Sequence, residues 1–327
     1  MPRRALHRGT IIIALLGLLA LGAALPAPGA PTPWTDKDLP SWQGPTRRVL
    51  LEYIYAVSTP GHRDFIPVPE RIAAFDLDGT LISERPRLWV MEVALARLAR
   101  VCGRRNARSQ DLAGLCAAAA RRDYGYLRRH IGQSLSLPLL GMTRTAYRAL
   151  ARQVFETAVN PVKKLPLRRM VYRPQVELID LLHRRGFRVY IVSGSDQFAM
   201  MAISRKYLHV APERCIGTTF QVRLELAGGR LRFYRTGLRK GDVNLRRVKA
   251  KKLMVRTGLP PVLAFGNSPG DTWMLRFAAS APRRSLCLVL DHDDPREFVY
   301  RRRRFLTLAR RQGWQVVSIK RDFKVVF

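Results

Sequence analysis

Three short apolar segments of this chain each end in a cluster of polar side chains. They are residues 71–75 before Asp76-Leu-Asp-Gly-Thr80, residues 187–192 before Ser193-Gly-Ser-Asp196, and residues 261–265 before Gly266-Asn-Ser-Pro-Gly-Asp271. Apolar runs of this length, bounded by turn residues, are typical of buried strands in a parallel sheet. Ligands bind beyond the carboxyl ends of such strands. We therefore expect the three clusters to meet at one site.

The order of the remaining elements favours an α/β fold. Val176, Ile179 and Leu182 recur at helical spacing just before the second apolar segment, and Gly186 suits the end of that helix. Further strand-like runs are residues 215–222 and 285–290, with a hairpin from Leu224 to Tyr234. Strands that alternate with helices predict a Rossmann-like parallel sheet with helices on both faces.

The pattern between the first and second apolar segments differs from the rest. Residues 87–170 show helical periodicity and few strand signals, which predicts a helical cap inserted after the first core strand. The predicted division is residues 1–34 as signal or anchor plus linker, 35–86 and 171–327 as core, and 87–170 as cap.

The N-terminus has the pattern of a secretory signal. Arg3, Arg4 and Arg8 precede an apolar run of 15 residues, 11–25, and a proline-rich stretch follows. Such a run is short for a membrane-spanning helix. We expect an exported protein, periplasmic or secreted. Because no clean cleavage site stands out, an uncleaved membrane anchor is the alternative.

Charge and cysteine content restrict the partners. The chain has 58 Lys+Arg against 24 Asp+Glu, a net charge of +34. Such a charge attracts phosphorylated substrates, anionic lipid and nucleic acid alike. We expect a small phosphorylated substrate, consider an anionic membrane surface as a further partner, and expect no specific nucleic acid.

No C-x-x-C pair occurs among the four cysteines, so zinc or thioredoxin-like chemistry has no support.

The four cysteines fall into two pairs by context. Cys215 and Cys287 lie in strand-like surroundings and are expected to be buried thiols. Cys102 and Cys116 lie in one helical stretch. They form a disulfide only if the chain is exported and the geometry allows it, so both states remain open.

The polar clusters contain the groups that phosphoryl transfer needs. Of the two carboxylates at Asp76 and Asp78, one is suited to attack phosphorus and the other to move a proton. Two close carboxylates repel each other, and hard oxygen ligands beside a phosphate favour Mg²⁺. Asp271 and the amide oxygen of Asn267 would complete the ligand set. The Ser193 hydroxyl and a lysine would hold the phosphate oxygens.

These motifs resemble those of the haloacid dehalogenase superfamily over residues 45–327. The Asp76-Leu-Asp-Gly-Thr80 segment resembles the first motif, the strand ending at Ser193 the second, and Gly266-Asn-Ser-Pro-Gly-Asp271 the fourth. The similarity is greatest to a bacterial, exported phosphatase-like branch related to phosphoserine-phosphatase-like enzymes, which has a helical cap.

The resemblance implies roles for the residues of the first two motifs. Asp76 would be the nucleophile, and Asp78 the general acid and base, with its backbone carbonyl on the metal. Thr80 would position the loop and bind phosphate. Ser193 and Gly194 would bind the transferred phosphoryl group.

The third and fourth motifs match the family pattern less closely than the first two. Lys249, in a predicted helix over residues 248–256, is the best match to the third motif, with Lys240, Lys251 and Lys252 as open alternatives. Asn267 stands where the family usually has an acid, which implies a weaker metal site. The implied metal ligands are Asp76, Asp78, Asn267 and Asp271.

The expected function is a Mg²⁺-dependent phosphatase acting through an aspartyl-phosphate, since Asp78 is an acid that dehalogenases of this superfamily lack. The alternative is a catalytically weak protein that binds an anionic ligand or a membrane surface on the same scaffold, and Asn267 favours it. Two further positions have alternative interpretations: Glu84 either faces the pocket or caps a helix, and His292 is expected in a surface turn, with the rim of the site as the alternative.

Overall fold

A computed structural model describes residues 34–102, 110–237 and 243–327. The strands in these ranges are β1 Ile72–Phe75, β2 Arg188–Asp196, β3 Cys215–Thr218, β4 Gln221–Ala227, β5 Arg230–Gly237, β6 Leu263–Gly266, β7 Leu286–Asp291 and β8 Gln315–Ser318. The helices are α1 Gly44–Ser58, α2 Trp89–Val101, α3 Gln110–Ala120, α4 Tyr124–Arg129, α5 Ile131–Ser134, α6 Arg144–Thr157, α7 Arg173–Arg184, α8 Gln197–Leu208, α9 Arg247–Thr257, α10 Thr272–Ala279, α11 Arg303–Arg311 and α12 Ile319–Asp322.

Residues 1–33 of the predicted signal or anchor plus linker (1–34), and the alternative lysine Lys240, lie outside the described residues. None of the helices within the described ranges is both long and apolar enough to span a bilayer.

The main sheet of the described residues has six parallel strands in the order β3-β2-β1-β6-β7-β8. The chain runs from β1 to one side through β2 and β3, and later returns to the other side through β6, β7 and β8. In open α/β sheets the ligand crevice lies where the strand order reverses. The strands that precede the three polar clusters are β2, β1 and β6, so they are neighbours at that point. The predicted α/β, Rossmann-like fold is confirmed.

Side chains of β1 alternate between two apolar layers, as they do in a strand buried on both faces. Ala73 and Phe75 join a cluster that includes residues of α1 and α7. Ile72 and Ala74 join another cluster with residues of α9 and α10. The sheet is therefore covered by helices on both faces, which is why its strands are apolar throughout.

The segment between β1 and α7 is helical in its described part. Trp89 of α2 meets Phe155 of α6 edge to face, with 5.3 Å between ring centroids. A disulfide joins Cys102, after α2, to Cys116 in α3. Of the two states that the sequence left open, the structure therefore has the bonded one. The division into cap and core domains stays a prediction.

The run predicted as one strand over residues 215–222 is divided in the structure. β3 ends at Thr218, whose hydroxyl donates to the Gly194 carbonyl at 2.6 Å and accepts from the Asn244 amide at 3.0 Å. The first bond ties the end of β3 to β2 and the second ties it to the segment before α9, and the chain then leaves the sheet as the antiparallel hairpin β4–β5. Backbone hydrogen bonds in both directions between Arg235 and residues 141–142 attach this hairpin to the helical segment.

Candidate active site

The carboxyl ends of β1, β2 and β6 meet around one cavity of about 280 Å³. Asp76 follows β1 directly, and its amide donates to the Phe265 carbonyl of β6 at 2.9 Å. Asp76, Asp78 and Ser193 line this cavity together with Lys249. The structure thus brings the first three predicted motifs together.

Lys249 connects two of the predicted site carboxylates. Its Nζ donates to Asp76 Oδ1 at 2.7 Å and to Asp271 Oδ1 at 2.6 Å, and its side chain is 2 % exposed. Burial disfavours the ammonium, but the charges of Asp271 and Asp76 outweigh it and hold the pKa of Lys249 above its ordinary value. The competing Lys252 instead donates to the Gly217 carbonyl, and Lys251 lines a different cavity.

Asp78 is held by two serines from the end of β2. Its Oδ2 accepts from Ser193 Oγ at 3.2 Å and from Ser195 Oγ at 2.7 Å. Burial raises the pKa of Asp78 to about 6, although the bond from Ser195 opposes this shift. A carboxyl with such a pKa can both give and take a proton near neutral pH. The sequence motifs assigned no role to Ser195, although its position two residues after Ser193 was a usable signal.

Asp76 is the other buried carboxyl at the end of β1. Burial is the main cause that raises its pKa well above the ordinary value, and the charge of Asp271 adds to it. Lys249 opposes the shift by its charge and its hydrogen bond. Asp76 therefore depends on nearby positive charge to remain an anion.

The fourth motif is organised by Asp271. Its Oδ2 accepts from the Asn267 amide at 3.1 Å, the Ser268 amide at 2.9 Å and the Ser268 hydroxyl at 3.0 Å. A Cβ at Gly266 would lie 2.6 Å from the Cβ of Asp271, so only glycine allows this close approach. With Lys249 on Oδ1, both carboxylate oxygens of Asp271 are engaged, and Asp271 holds both the loop and the lysine.

The Asn267 side chain belongs to a polar network at the edge of the site. Its Nδ2 lies 3.3 Å from Glu84 Oε1 and 3.2 Å from His292 Nε2, which in turn is 2.9 Å from the Gly79 carbonyl. Glu84 lines the cavity and accepts from Arg302 Nη2 at 2.6 Å. Of the two predicted positions of Glu84, facing the pocket or capping a helix, the structure therefore has the first.

The prediction of a surface turn at His292 is wrong. Its ring is 2 % exposed, stacks on Tyr300 at 4.1 Å between centroids, and contacts Glu297 through Nδ1 at 3.2 Å. His292 follows β7, and β7 lies beside β6, so the same strand-end argument that identified the other clusters applied to it. Two acidic residues follow His292 in the sequence, and this polar pattern indicates an exposed turn rather than a buried site residue.

The remaining predicted residues lie in the first two loops. Gly79 has φ of +77°, and a Cβ there would lie 2.0 Å from Asn267 Nδ2. Thr80 is fully buried, and its Oγ1 has no hydrogen-bond partner among the described residues. Gly194 lines the cavity, where a Cβ would lie 2.6 Å from a Leu245 methyl carbon.

Two buried oxygens test whether these residues fit a magnesium ion. Asp78 Oδ1 and Asn267 Oδ1 have no hydrogen-bond partner within the described ranges. A buried polar atom without a partner costs about 1–3 kcal/mol, and hard oxygens of this kind are what Mg²⁺ binds. The described residues contain no group of three or more His, Cys, Asp or Glu side chains arranged to hold a metal. The Asn267 amide oxygen would join the carboxylates as a ligand, and this set of hard oxygens has the chemistry that Mg²⁺ binds.

The comparisons agree with this fold and with these motifs. A family model described as haloacid dehalogenase-like hydrolase matches residues 73–276, more than half of the chain. The chain therefore belongs to the haloacid dehalogenase-like hydrolases, as the motifs predicted. No curated protein sequence matches the chain.

Several solved structures are similar to this chain. A conserved protein of unknown function from Anaerococcus prevotii has a TM-score of 0.56 and 13% identity, covering 85% of this chain and 92% of that one. A phosphoserine phosphohydrolase-like protein from Francisella tularensis has a TM-score of 0.41 and 13% identity, covering 76% of this chain and 94% of that one. A hydrolase of the same family from Salmonella enterica has a TM-score of 0.39 and 15% identity, covering 86% of this chain and 79% of that one. At these identities the likeness concerns the fold.

Proposed function

We propose that this protein is a Mg²⁺-dependent phosphatase that hydrolyses a phosphate monoester through an aspartyl-phosphate on Asp76. One observation carries the proposal. Lys249 is buried between Asp76 and Asp271, while the neighbouring Asp78 is held by Ser193 and Ser195 at the same cavity. A nucleophile, a proton carrier and a fixed positive charge are the parts that phosphoryl transfer through a carboxylate needs.

The reaction takes place in two displacements. An oxygen of Asp76 forms a bond to phosphorus while the bond to the leaving oxygen breaks, and Asp78 gives its proton to that oxygen. Asp78 then takes a proton from water, whose oxygen attacks the same phosphorus. This second displacement releases inorganic phosphate and restores the Asp76 carboxylate.

Other residues hold the phosphoryl group and the cation. Ser193, Gly194 and Lys249 line the cavity next to Asp76 and are placed to bind phosphate oxygens, with Thr80 supporting the loop. When bound, Mg²⁺ supplies positive charge to the phosphate oxygens. Asp76, Asp78 and the Asn267 amide oxygen would hold it, with Asp271 behind them because both oxygens of Asp271 are already bonded.

The test is the substitution Asp76→Asn, with phosphate release from an aryl phosphate measured in Mg²⁺ and in EDTA. We expect turnover by the parent protein in Mg²⁺ alone, and a loss of at least about 10³-fold in the variant, because the nucleophile is removed. The exposed Asp111→Asn is the matched control and should retain full activity. Circular dichroism checks folding. Turnover by Asp76→Asn, or a parent protein inactive on every ester, contradicts the proposal.

We also propose that the protein acts outside the cytoplasm. The Cys102–Cys116 disulfide supports this, because such bonds persist in oxidising compartments. The signal-like pattern of the N-terminus points the same way.

A membrane surface is the second partner that we propose. The hairpin β4–β5 has an apolar face whose leucines are exposed, and its other residues include several arginines. The exposed leucines are Leu224, Leu226 and Leu231, at 53%, 76% and 53%. Apolar side chains beside arginines suit the headgroup region of an anionic bilayer.

A further inference from the structure

The active-site cavity has two chemically different ends. One end carries the acids, serines and lysine described above. The other is an apolar wall, whose members come from the helical segment between β1 and α7, from the start of the hairpin and from the residues before α9. The wall residues are Leu88, Val90, Ile131, Leu135, Leu139, Phe220, Val243 and Leu245.

The charged groups beside this wall are already neutralised. Asp196 accepts from the amides of Phe198 at 2.8 Å and Ala199 at 3.2 Å, and forms an ion pair with Arg235. Arg235 also donates to the Leu135 carbonyl at 3.0 Å, and its guanidinium stacks on Phe220. The charges of Asp196 and Arg235 therefore compensate each other beside the wall.

The described lining offers no second cation for a ligand. Lys249 is the cation among the described residues that line the cavity, and it is bonded to Asp76 and Asp271. Glu84, on the same lining, is paired with Arg302. Among the described lining residues, a leaving group with a carboxylate or second phosphate would meet no cation of its own. A hydroxyl buried against the wall without a hydrogen bond costs about 1–3 kcal/mol.

We propose that the substrate is the phosphate ester of a small, uncharged and mainly apolar alcohol or phenol. This inference rests on the proposed phosphatase function and names its substrate class. The cavity of about 280 Å³ is close to the lower limit of small-molecule sites, about 300 Å³. It accommodates a phosphoryl group with one ring or a short alkyl chain. The wall binds that group while Asp78 protonates the ester oxygen.

The test compares esters that differ only in polarity. We expect kcat/KM for propyl phosphate to exceed that for glycerol 1-phosphate by at least about 10-fold, because the two alcohols share a three-carbon chain and differ by two hydroxyls. Phenyl phosphate should likewise be preferred to phosphoserine. A preference for the polar or charged member of each pair overturns the inference.

A substitution in the wall links this preference to the structure. Val90→Thr keeps the branched shape of the side chain and replaces one methyl by a hydroxyl at a site that is 3% exposed. The substitution should lower the ratio of kcat/KM for propyl phosphate to kcat/KM for glycerol 1-phosphate at least about 3-fold. Val154→Thr is the matched control, because Val154 is 6% exposed and lies outside this cavity. An equal change of the ratio in both variants, or no change in Val90→Thr, contradicts the assignment of the wall.

Binding separates this inference from the proposed function. Calorimetric titration with propylphosphonate and with 2,3-dihydroxypropylphosphonate makes the same comparison without turnover. Tighter binding of propylphosphonate, weakened by Val90→Thr, supports the apolar wall even if no ester is hydrolysed, and in that case only the phosphatase function fails. Tighter binding of the dihydroxy compound overturns the inference whether or not the protein hydrolyses esters.

Discussion

At the scale of single residues, the Asn267 position shows how a neighbour determines residue identity. Its amide nitrogen lies 3.3 Å from Glu84 Oε1. An aspartate in its place would bring two carboxylates together in a site shielded from water, where like charges repel strongly. Glu84 is therefore a physical reason for an amide at this position, even though Arg302 Nη2 balances part of the Glu84 charge at 2.6 Å.

We predict that Asn267→Asp lowers the free energy of unfolding by about 1–3 kcal/mol in metal-free buffer. Adding Glu84→Gln should recover part of the loss, with a coupling above about 0.5 kcal/mol in a double-mutant cycle measured by urea denaturation. The control cycle pairs Glu84→Gln with Asn244→Asp, since Asn244 is bonded to the carbonyls of Ser193 and Ile216. Coupling that is absent at residue 267, or equal in both cycles, would disprove the repulsion.

At the scale of elements, the disulfide is the covalent link between α2 and α3. Cys102 and Cys116 are separated by 14 positions in the chain. Among the described residues of α3, only Leu115 and Ala118 are fully buried. With so small an apolar contact, this helix depends on the disulfide more than a core helix would.

We predict that Cys102→Ser destabilises the protein by about 3 kcal/mol, the chain-entropy value for a loop of about 15 residues. Thermal denaturation with and without dithiothreitol measures the effect. The reductant should lower the melting temperature of the parent protein and leave that of the variant unchanged. Cys287→Ser controls for loss of a buried thiol. Equal melting of the parent protein in both buffers would show that the bond contributes nothing.

At the scale of the whole molecule, the membrane contact that we propose would depend on both the net charge and the exposed hairpin. The net charge of +34 attracts anionic surfaces over distances near the Debye length, about 8 Å in physiological salt. The leucines of β4–β5 would then add short-range apolar contact. Attraction by charge alone would not fix the orientation of the protein on a membrane, whereas contact through the hairpin would.

We predict that the full chain cosediments with phosphatidylglycerol vesicles and binds less as salt increases. The double substitution Leu226→Ser and Leu231→Ser should weaken binding at least about 5-fold, since it removes two exposed apolar side chains from the contact. Val255→Ser, at an 81% exposed position on α9, is the matched control. Unchanged binding by the double variant, or equal binding to neutral vesicles, would exclude the hairpin as a contact.

The sequence alone determined the α/β class, the edge of the sheet where the site lies, and the clusters around Asp76, Ser193 and Asp271. These features are local, because a short apolar run and the polar turn after it indicate both a buried strand and its end. The sequence alone separated Lys249 from the neighbouring lysines only by its match to the third motif. Several basic residues surround it, and only the packing of α9 against the sheet decides which one is buried.

Only the tertiary structure decided the partners across the site. Ser195 contacts Asp78 over 117 positions, and Asn267 contacts Glu84 over 183. The apolar wall combines the helical segment with the hairpin start and the residues before α9. Local patterns indicate which side of an element is buried. The distances between remote side chains depend on how the finished elements pack, and no short window of sequence contains that information.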